Sequence, residues 1–197
     1  MSTRTAAPPP TAEASRPPAP QPLELVRAFV NTRDVESATD ELGDPEAAGT
    51  WLAGHGLLDA GVRLDPADRE RVVELREALR ALLLANNGVD LEPAAVETLN
   101  SFAAAAPLEA RFDPTGTIAV TGRDGGVEGA LGQLLAVVVQ SVADGTWTRL
   151  KACREDDCQW AFYDRSRNRS GQWCVMAVCG NRNKARTYRE RRRSGGG

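Results

Sequence analysis

The chain has 197 residues, 42% of them apolar, enough for one medium domain with a buried core plus a small module. Its longest uninterrupted apolar run spans residues 134–139, far short of the eighteen or so residues of a membrane helix, so no membrane partner is expected. The net charge of −3 conceals an asymmetry. Residues 1–148 carry 11 arginines against 22 acidic residues, a net of −11, whereas residues 149–197 carry 13 basic against five acidic residues, a net of +8. An acidic body and a basic end predict two modules, the second of which meets an anion.

Residues 1–22 are rich in Ala, Pro, Ser and Thr and have no apolar segment resembling an export signal; they read as a disordered leader. A short helix is expected over residues 23–30, where Leu23, Val26 and Val30 recur at spacings of three and four. Asp44-Pro45 opens a second helix that carries Trp51 and Leu52 and ends near Gly54 or Gly56. Asp65, Pro66 and Asp68 start the best-defined helix, with Val72, Leu75, Leu79, Leu82 and Leu83 on one stripe and Asn86-Asn87-Gly88 as its stop. Residues 93–106 predict another helix facing inward with Val96, Leu99 and Phe102. Alternation over residues 108–120 around Asp113-Pro114-Thr115-Gly116 predicts a hairpin, residues 128–143 a Leu/Val-rich helix, and residues 147–152 an extended segment. The single histidine, His55, lies beside glycines and reads as a loop residue. No phosphate-binding loop or nucleophile motif is present, so an enzyme is not expected.

All four cysteines fall late in the chain, as C-x4-C at Cys153 and Cys158 and again at Cys174 and Cys179, fifteen residues apart. Two short thiolate arms can converge on one tetrahedral ion, and a single structural zinc is the leading expectation. Two disulfides, an iron–sulfur site or four separate buried thiols are the alternatives; the missing export signal argues for the reducing cytoplasm and against disulfides. Between the arms, residues 160–163 alternate as in a strand, 164–171 form a polar turn and 172–174 return. A small hairpin with an aromatic core is therefore expected, stabilised by metal. Four thiolates leave zinc no open position, which again speaks for structure over catalysis.

If residues 180–193 are helical, Arg182, Arg186, Arg189 and Arg193 share one face and Asn181, Ala185, Tyr188 and Arg192 form the neighbouring stripe. A basic helix on a metal-pinned base suits double-stranded DNA. The candidate contacts are Asn181, Arg182, Asn183, Lys184, Arg186, Arg189, Arg191, Arg192 and Arg193. Arg182, Asn183 and Arg186 lie nearest the rigid base and are the candidate base readers; Arg189, Arg191, Arg192 and Arg193 are better suited to phosphates. Arg182 could instead clamp an acid such as Asp164, and Gly180 is expected to let the chain turn after Cys179.

The run W-C-V-M-A-V-C-G-N-R at residues 173–182, with C-Q-W-A-F-Y-D-R-S-R-N-R-S upstream and N-K-A-R-T-Y-R downstream, closely resembles the CGNR zinc-finger family. The body is similar to the ABATE domain that precedes this finger, through F-V-N-T at residues 29–32, Trp51-Leu52, L-R-E-A-L-R at residues 75–80 and Leu99-Asn100. The resemblance implies a stress-related transcription regulator. Where relatives carry two arginines before the Trp-Cys pair, this chain has Gly171-Gln172, which removes two positive charges from the finger.

The expected fold is therefore α+β and mainly α. A disordered leader (1–22) precedes an ABATE-like helical domain with one hairpin (23–146). A four-cysteine zinc finger made of a hairpin and a basic helix (147–193) and a flexible tail (194–197) follow. The expected function is DNA-binding transcription regulation in the cytoplasm, associated with the nucleoid. The body would be a sensor for a small-molecule effector or the site of homodimerisation. An RNA-binding zinc protein, or a zinc module docking an acidic protein, are the rivals.

Overall fold

A computed structural model describes residues 17–122 and 125–194. Residues 1–16 of the expected leader and 195–197 of the expected tail lie outside the described residues. Of the leader's described residues, 17, 18 and 20–22 are exposed, whereas Ala19 is buried and its amide donates to Glu24 Oε2 at 2.7 Å, so ordered structure precedes residue 23.

The first elements are α1 (Leu23–Asn31), the two-residue strands β1 (Arg33–Asp34) and β2 (Thr39–Asp40), α2 (Pro45–Gly54), α3 (Pro66–Ala85) and α4 (Pro93–Ala105). Then come β3 (Leu108–Phe112), β4 (Ile118–Gly122), α5 (Gly126–Ala143), β5 (Leu150–Ala152), β6 (Ala161–Tyr163) and α6 (Asn181–Ser194). The strands pair antiparallel as β1–β2, β3–β4 and β5–β6 in three separate two-stranded sheets, which confirms the mainly helical α+β class.

Local chemistry accounts for the helices. Asp44 caps α2 by accepting from the Ala47 amide, and Asp65 and Asp68 form a reciprocal capping box behind Pro66 at the start of α3. Val72, Leu75, Leu79 and Leu83 of α3 are fully buried, each contributing about 1.5–3 kcal/mol relative to exposure. Phe102 of α4 is buried as expected and Leu99 packs partly against the core, but Val96 is exposed rather than facing inward. His55 ends α2, stacked on Trp51 at 3.8 Å between ring centroids.

Helix α5 runs through the core with Ala130, Leu131, Leu134, Leu135, Ala136 and Val137 buried. Although no run of eighteen apolar residues occurs in the sequence, α5 is long and apolar enough, by length and composition, to cross a membrane; half of it is buried inside the fold. Scattered glycines and glutamines interrupt the apolar run without lowering its mean hydropathy enough to exclude that length.

The L-R-E-A-L-R stretch of α3 carries a buried cationic network. Arg76 grips Asp40 with two bonds (2.6 and 2.9 Å) and also donates to Thr32 Oγ1 and Glu77. Arg80 donates to Glu77, to the Val30 carbonyl and, at 3.1 Å, to the Gln159 carbonyl beyond Cys158. Burial would raise the Glu77 carboxyl, but Arg80 and Arg76 outweigh it and hold it below its ordinary value. These guanidiniums are buried because their acceptors are fixed, which is the condition under which buried charge is tolerated.

The largest departure from the sequence-based expectation lies at the join. Residues 147–149 form a short 3₁₀ turn rather than extended chain. The strand at residues 161–163 does not pair with the 172–174 return; it pairs with β5, in the register Leu150↔Tyr163 and Ala152↔Ala161. Phe162, Trp160 and Trp173 do pack around the cysteines as the expected aromatic core, but it is not the module's only one: Leu150, Ala152, Ala161 and Tyr163 belong to the same hydrophobic core as α1, α3 and α5.

Both outer edges of this small sheet are closed by asparagines of the body. Asn31, at the end of α1, accepts from the Ala161 amide (2.7 Å) and donates to the Ala161 carbonyl (3.0 Å), imitating a third strand beside β6. On the other edge, Asn86 donates to the Trp147 and Leu150 carbonyls and Asn87 to the Ala152 and Gln172 carbonyls. Unpaired strand edges are otherwise open to water or to other chains.

Candidate metal centre and basic helix

The cysteine arms follow from that sheet. Strand β5 delivers Cys153, and β6 begins three residues after Cys158. The Cys153 amide donates to the Trp160 carbonyl, and the amides of Cys158 and Gln159 return to the Glu155 carbonyl, so the intervening loop is a tight knuckle. Gln159 closes it in the left-handed region (φ 50°), which lets the Trp160 amide point back at the Cys158 sulfur. The second arm comes from a wide helical turn, Met176–Gly180, that carries Cys179 directly into α6.

The four sulfurs are buried, none is in a disulfide, and all lie within 4.8 Å of one another. Two separations are 3.5 Å (Cys158–Cys174) and 3.6 Å (Cys174–Cys179). Tetrahedral coordination at a Zn–S distance of about 2.3 Å places sulfurs about 3.8 Å apart, so the cluster has the dimensions of a four-thiolate zinc site. Its electrostatics agree. Contacts from the Cys158 and Cys174 thiols and from the Cys174 and Glu155 amides draw the Cys153 thiol far down, while Cys153 itself pushes Cys158 and Cys174 up. Burial, first, and the Cys153 charge also raise Cys179. Negative charge on one sulfur thus opposes it on the others, and a divalent cation is what allows four thiolates in one buried pocket. The four cysteines predicted as ligands are brought together, and they hold one structural zinc ion.

The loop between the arms is set by Lys151. This side chain is almost fully buried and donates to Asp164 Oδ2 (2.9 Å) and to the carbonyls of Arg169 and Gly171. Asp164 also accepts from the Ser166 and Gly171 amides. Burial would raise the Asp164 carboxyl, but hydrogen bonds from Ser166 and Lys151 prevail and hold it well below the carboxylate range. A compact ammonium with three donors fits these three acceptors, which a planar guanidinium would not.

Gly171 follows from the same network: a Cβ there would lie 2.9 Å from the Asp164 carboxyl. Its place in the Gly171-Gln172 departure is therefore a packing requirement, while Gln172 is exposed. Gly180 likewise is a matter of space rather than of a special turn. Its φ is not positive, and a Cβ would collide with Met176 Sδ and meet the Trp173 ring at 3.2 Å.

Helix α6 covers the basic segment as predicted, but its arginines are not equivalent. Arg182, considered as a partner of Asp164, reaches Glu36 on the β1–β2 turn instead, because Lys151 already occupies Asp164. Arg186 Nη1 donates to Glu155 at 2.7 Å. Asn181 bonds the Ala177 carbonyl and Arg189 the Ala185 carbonyl, both within their own turn. Around Tyr188, Lys184 lies four residues before it and Arg191 and Arg192 three and four after it, so the four share a stripe roughly opposite Arg182 and Arg186. All four are exposed, with Arg192 stacked over the Tyr188 ring. Arg193 is exposed at the helix end, and Asn183 is half-buried.

In the sequence Asn86 and Asn87 read only as a helix stop and Asn31 only as part of F-V-N-T, and neither Lys151 nor Glu155 stands out as a site residue. Lys151 carried a signal: it is one of only two lysines among 24 basic residues. The asparagines resemble ordinary helix-end residues, and only the fold shows what their amides meet.

A closed four-thiolate metal module carrying a basic helix, seated on an acidic helical body, defines a zinc-finger protein with an N-terminal helical domain. Residues 23–145 match the ABATE family, described as "Putative stress-induced transcription regulator", and residues 149–192 match the family described as CGNR zinc finger. The first match covers more than half the chain, and the chain belongs to the ABATE family. None of the curated proteins matches it.

Proposed function

We propose that this chain is a transcription regulator that binds double-stranded DNA through α6, with the zinc module as a rigid mount and no catalytic role. The observation that carries this reading is the outward stripe of Lys184, Tyr188, Arg191 and Arg192 on a helix that starts two residues after a metal ligand. The remaining predicted contacts divide. Arg189 and Arg193, exposed on the Arg182/Arg186 face, reach phosphates, while Arg182 and Arg186 are tied to Glu36 and Glu155. Contact to the DNA is thus mainly electrostatic, through the backbone. The acidic body serves as sensor or homodimerisation module, and the site of action is the cytoplasm, at the nucleoid. The groove of about 590 Å³ between α3 and α4, lined by Arg71, Glu74, Glu97 and Phe102, is where a small effector would be sought.

Titration of the zinc-loaded chain with duplex DNA, duplex RNA and single-stranded RNA at several salt concentrations tests this. Duplex DNA should bind best, with affinity falling by nearly one log unit per log salt for each phosphate contacted. Deletion of residues 181–193 that leaves affinity and salt slope unchanged would sink the reading. A second reading, docking of an acidic protein, is favoured by Met176 and Val178, which are exposed beside the helix. A partner captured after nuclease treatment and lost in Met176→Ser/Val178→Ser would support it.

A further inference from the structure

Two arginines of α6 end on carboxylates of the same chain, and the two contacts differ in kind. Arg182 meets Glu36 where both side chains are about half exposed, so water and salt compete freely for the pair. Arg186 meets Glu155, whose side chain is only 3% exposed. Glu155 lies in the knuckle between Cys153 and Cys158: its amide points at the Cys153 sulfur and its carbonyl accepts the Cys158 amide. One carboxylate oxygen takes Arg186, and the other is buried with no hydrogen-bond partner among the described residues. A buried carboxylate whose only guanidinium partner among the described residues sits on α6 fixes that helix relative to the knuckle, because losing Arg186 would leave the charge uncompensated.

We propose that Glu155 is a positioning residue. It orients α6 by holding Arg186 against the Cys153–Cys158 knuckle, so that Arg186 acts as a strut and the Lys184, Tyr188, Arg191 and Arg192 stripe faces outward toward nucleic acid. The outward partner rests on the function proposed above; the strut does not. The one half-buried basic side chain of α6 is Arg186; of the exposed ones, Lys184, Arg191 and Arg192 lie roughly opposite it, while Arg182, Arg189 and Arg193 share its face.

Glu155→Gln and Glu36→Gln, each made in the full-length zinc-loaded chain, separate positioning from simple electrostatics. Both remove one negative charge with little change in volume, so charge alone predicts a similar rise in duplex affinity for both. Positioning predicts that Glu36→Gln strengthens duplex binding by freeing Arg182, whereas Glu155→Gln weakens it roughly threefold to tenfold, within the range by which residues that touch no ligand modulate a binding equilibrium. In the same variant the amides of residues 181–190 should exchange faster, with those of α3 and the zinc content unchanged. If both variants strengthen binding equally and α6 stays as protected as in the unmodified chain, the proposal is overturned. Arg186→Gln approaches from the other side and decides the matter should Glu155→Gln fail to fold: it must also deprotect α6, and undiminished protection there refutes the strut. If the unmodified chain binds no nucleic acid, the function proposed above fails, while the exchange comparison still decides the role of Glu155.

Discussion

Replacing Asn31 by alanine tests how the zinc module is joined to the body. Asn31 is buried, and its amide supplies both partners of Ala161, whose own side chain is fully buried. The Ala161 amide and carbonyl point away from β5, so truncation orphans a donor and an acceptor together. Each buried orphan costs about 1–3 kcal/mol. The sum, about 2–6 kcal/mol, is a large part of the roughly 5–15 kcal/mol by which a domain is stable. With a urea slope of about 2 kcal/mol/M, the midpoint of the zinc-saturated protein should fall by about 1–3 M at unchanged slope. Asn181→Ala, which removes an exposed side chain bonded to the Ala177 carbonyl, should move it hardly at all. Asn31→Asp is a sharper control. It keeps an acceptor for the Ala161 amide but sets a carboxylate oxygen against the Ala161 carbonyl. Its deficit should be large at neutral pH and shrink in acid, where the protonated group donates. A midpoint within about 0.3 M of the unmodified chain for Asn31→Ala would refute the claim that Asn31 closes the sheet edge.

Further expectations concern the loop and the metal. The Asp164 carboxyl is depressed in the folded chain, so its contribution is complete above its unfolded value near 3.8 and is lost as pH falls below it toward the lower folded value. The stability difference between the unmodified chain and Asp164→Asn should therefore be constant from about pH 5 upward and narrow below about pH 4 in pH-dependent urea melts. Gly171→Ala should destabilise by about 1–3 kcal/mol, because its Cβ meets the Asp164 carboxyl, whereas the exposed Gln172→Arg should leave stability unchanged and steepen the salt dependence of DNA binding. Removing zinc with a chelator should free four titratable thiols and raise amide exchange in residues 153–180, while the protection of α3 and α5 persists.

Features made of local chemistry were legible in the sequence. The caps at Asp44 and Asp65, the α3 stripe, the β3–β4 hairpin and the cysteine spacing each depend on residues a few positions apart, and each appears where predicted. The pairing of β6 with β5 was not legible, because a run of alternating aromatics is equally consistent with either neighbour. What decides is that Leu150 and Tyr163 fit a core supplied by α1, α3 and α5, of which the first two lie far upstream in the chain. The reading of α6 stopped at the same limit. Periodicity groups Arg182 with Arg186, but whether that face looks outward depends on Glu36 and Glu155, and only the fold brings those acids near.

The asparagine-closed sheet bears on how such a finger can be exchanged between proteins. Cut out at residue 149, it would carry away two strands whose outer backbone groups have lost Asn31, Asn86 and Asn87, together with the hydrophobic faces of Leu150 and Tyr163. Metal alone would not restore them. A recombined protein would need a host offering three side-chain amides at the ends of two helices, so this finger and its body are heritable as one unit rather than as interchangeable parts.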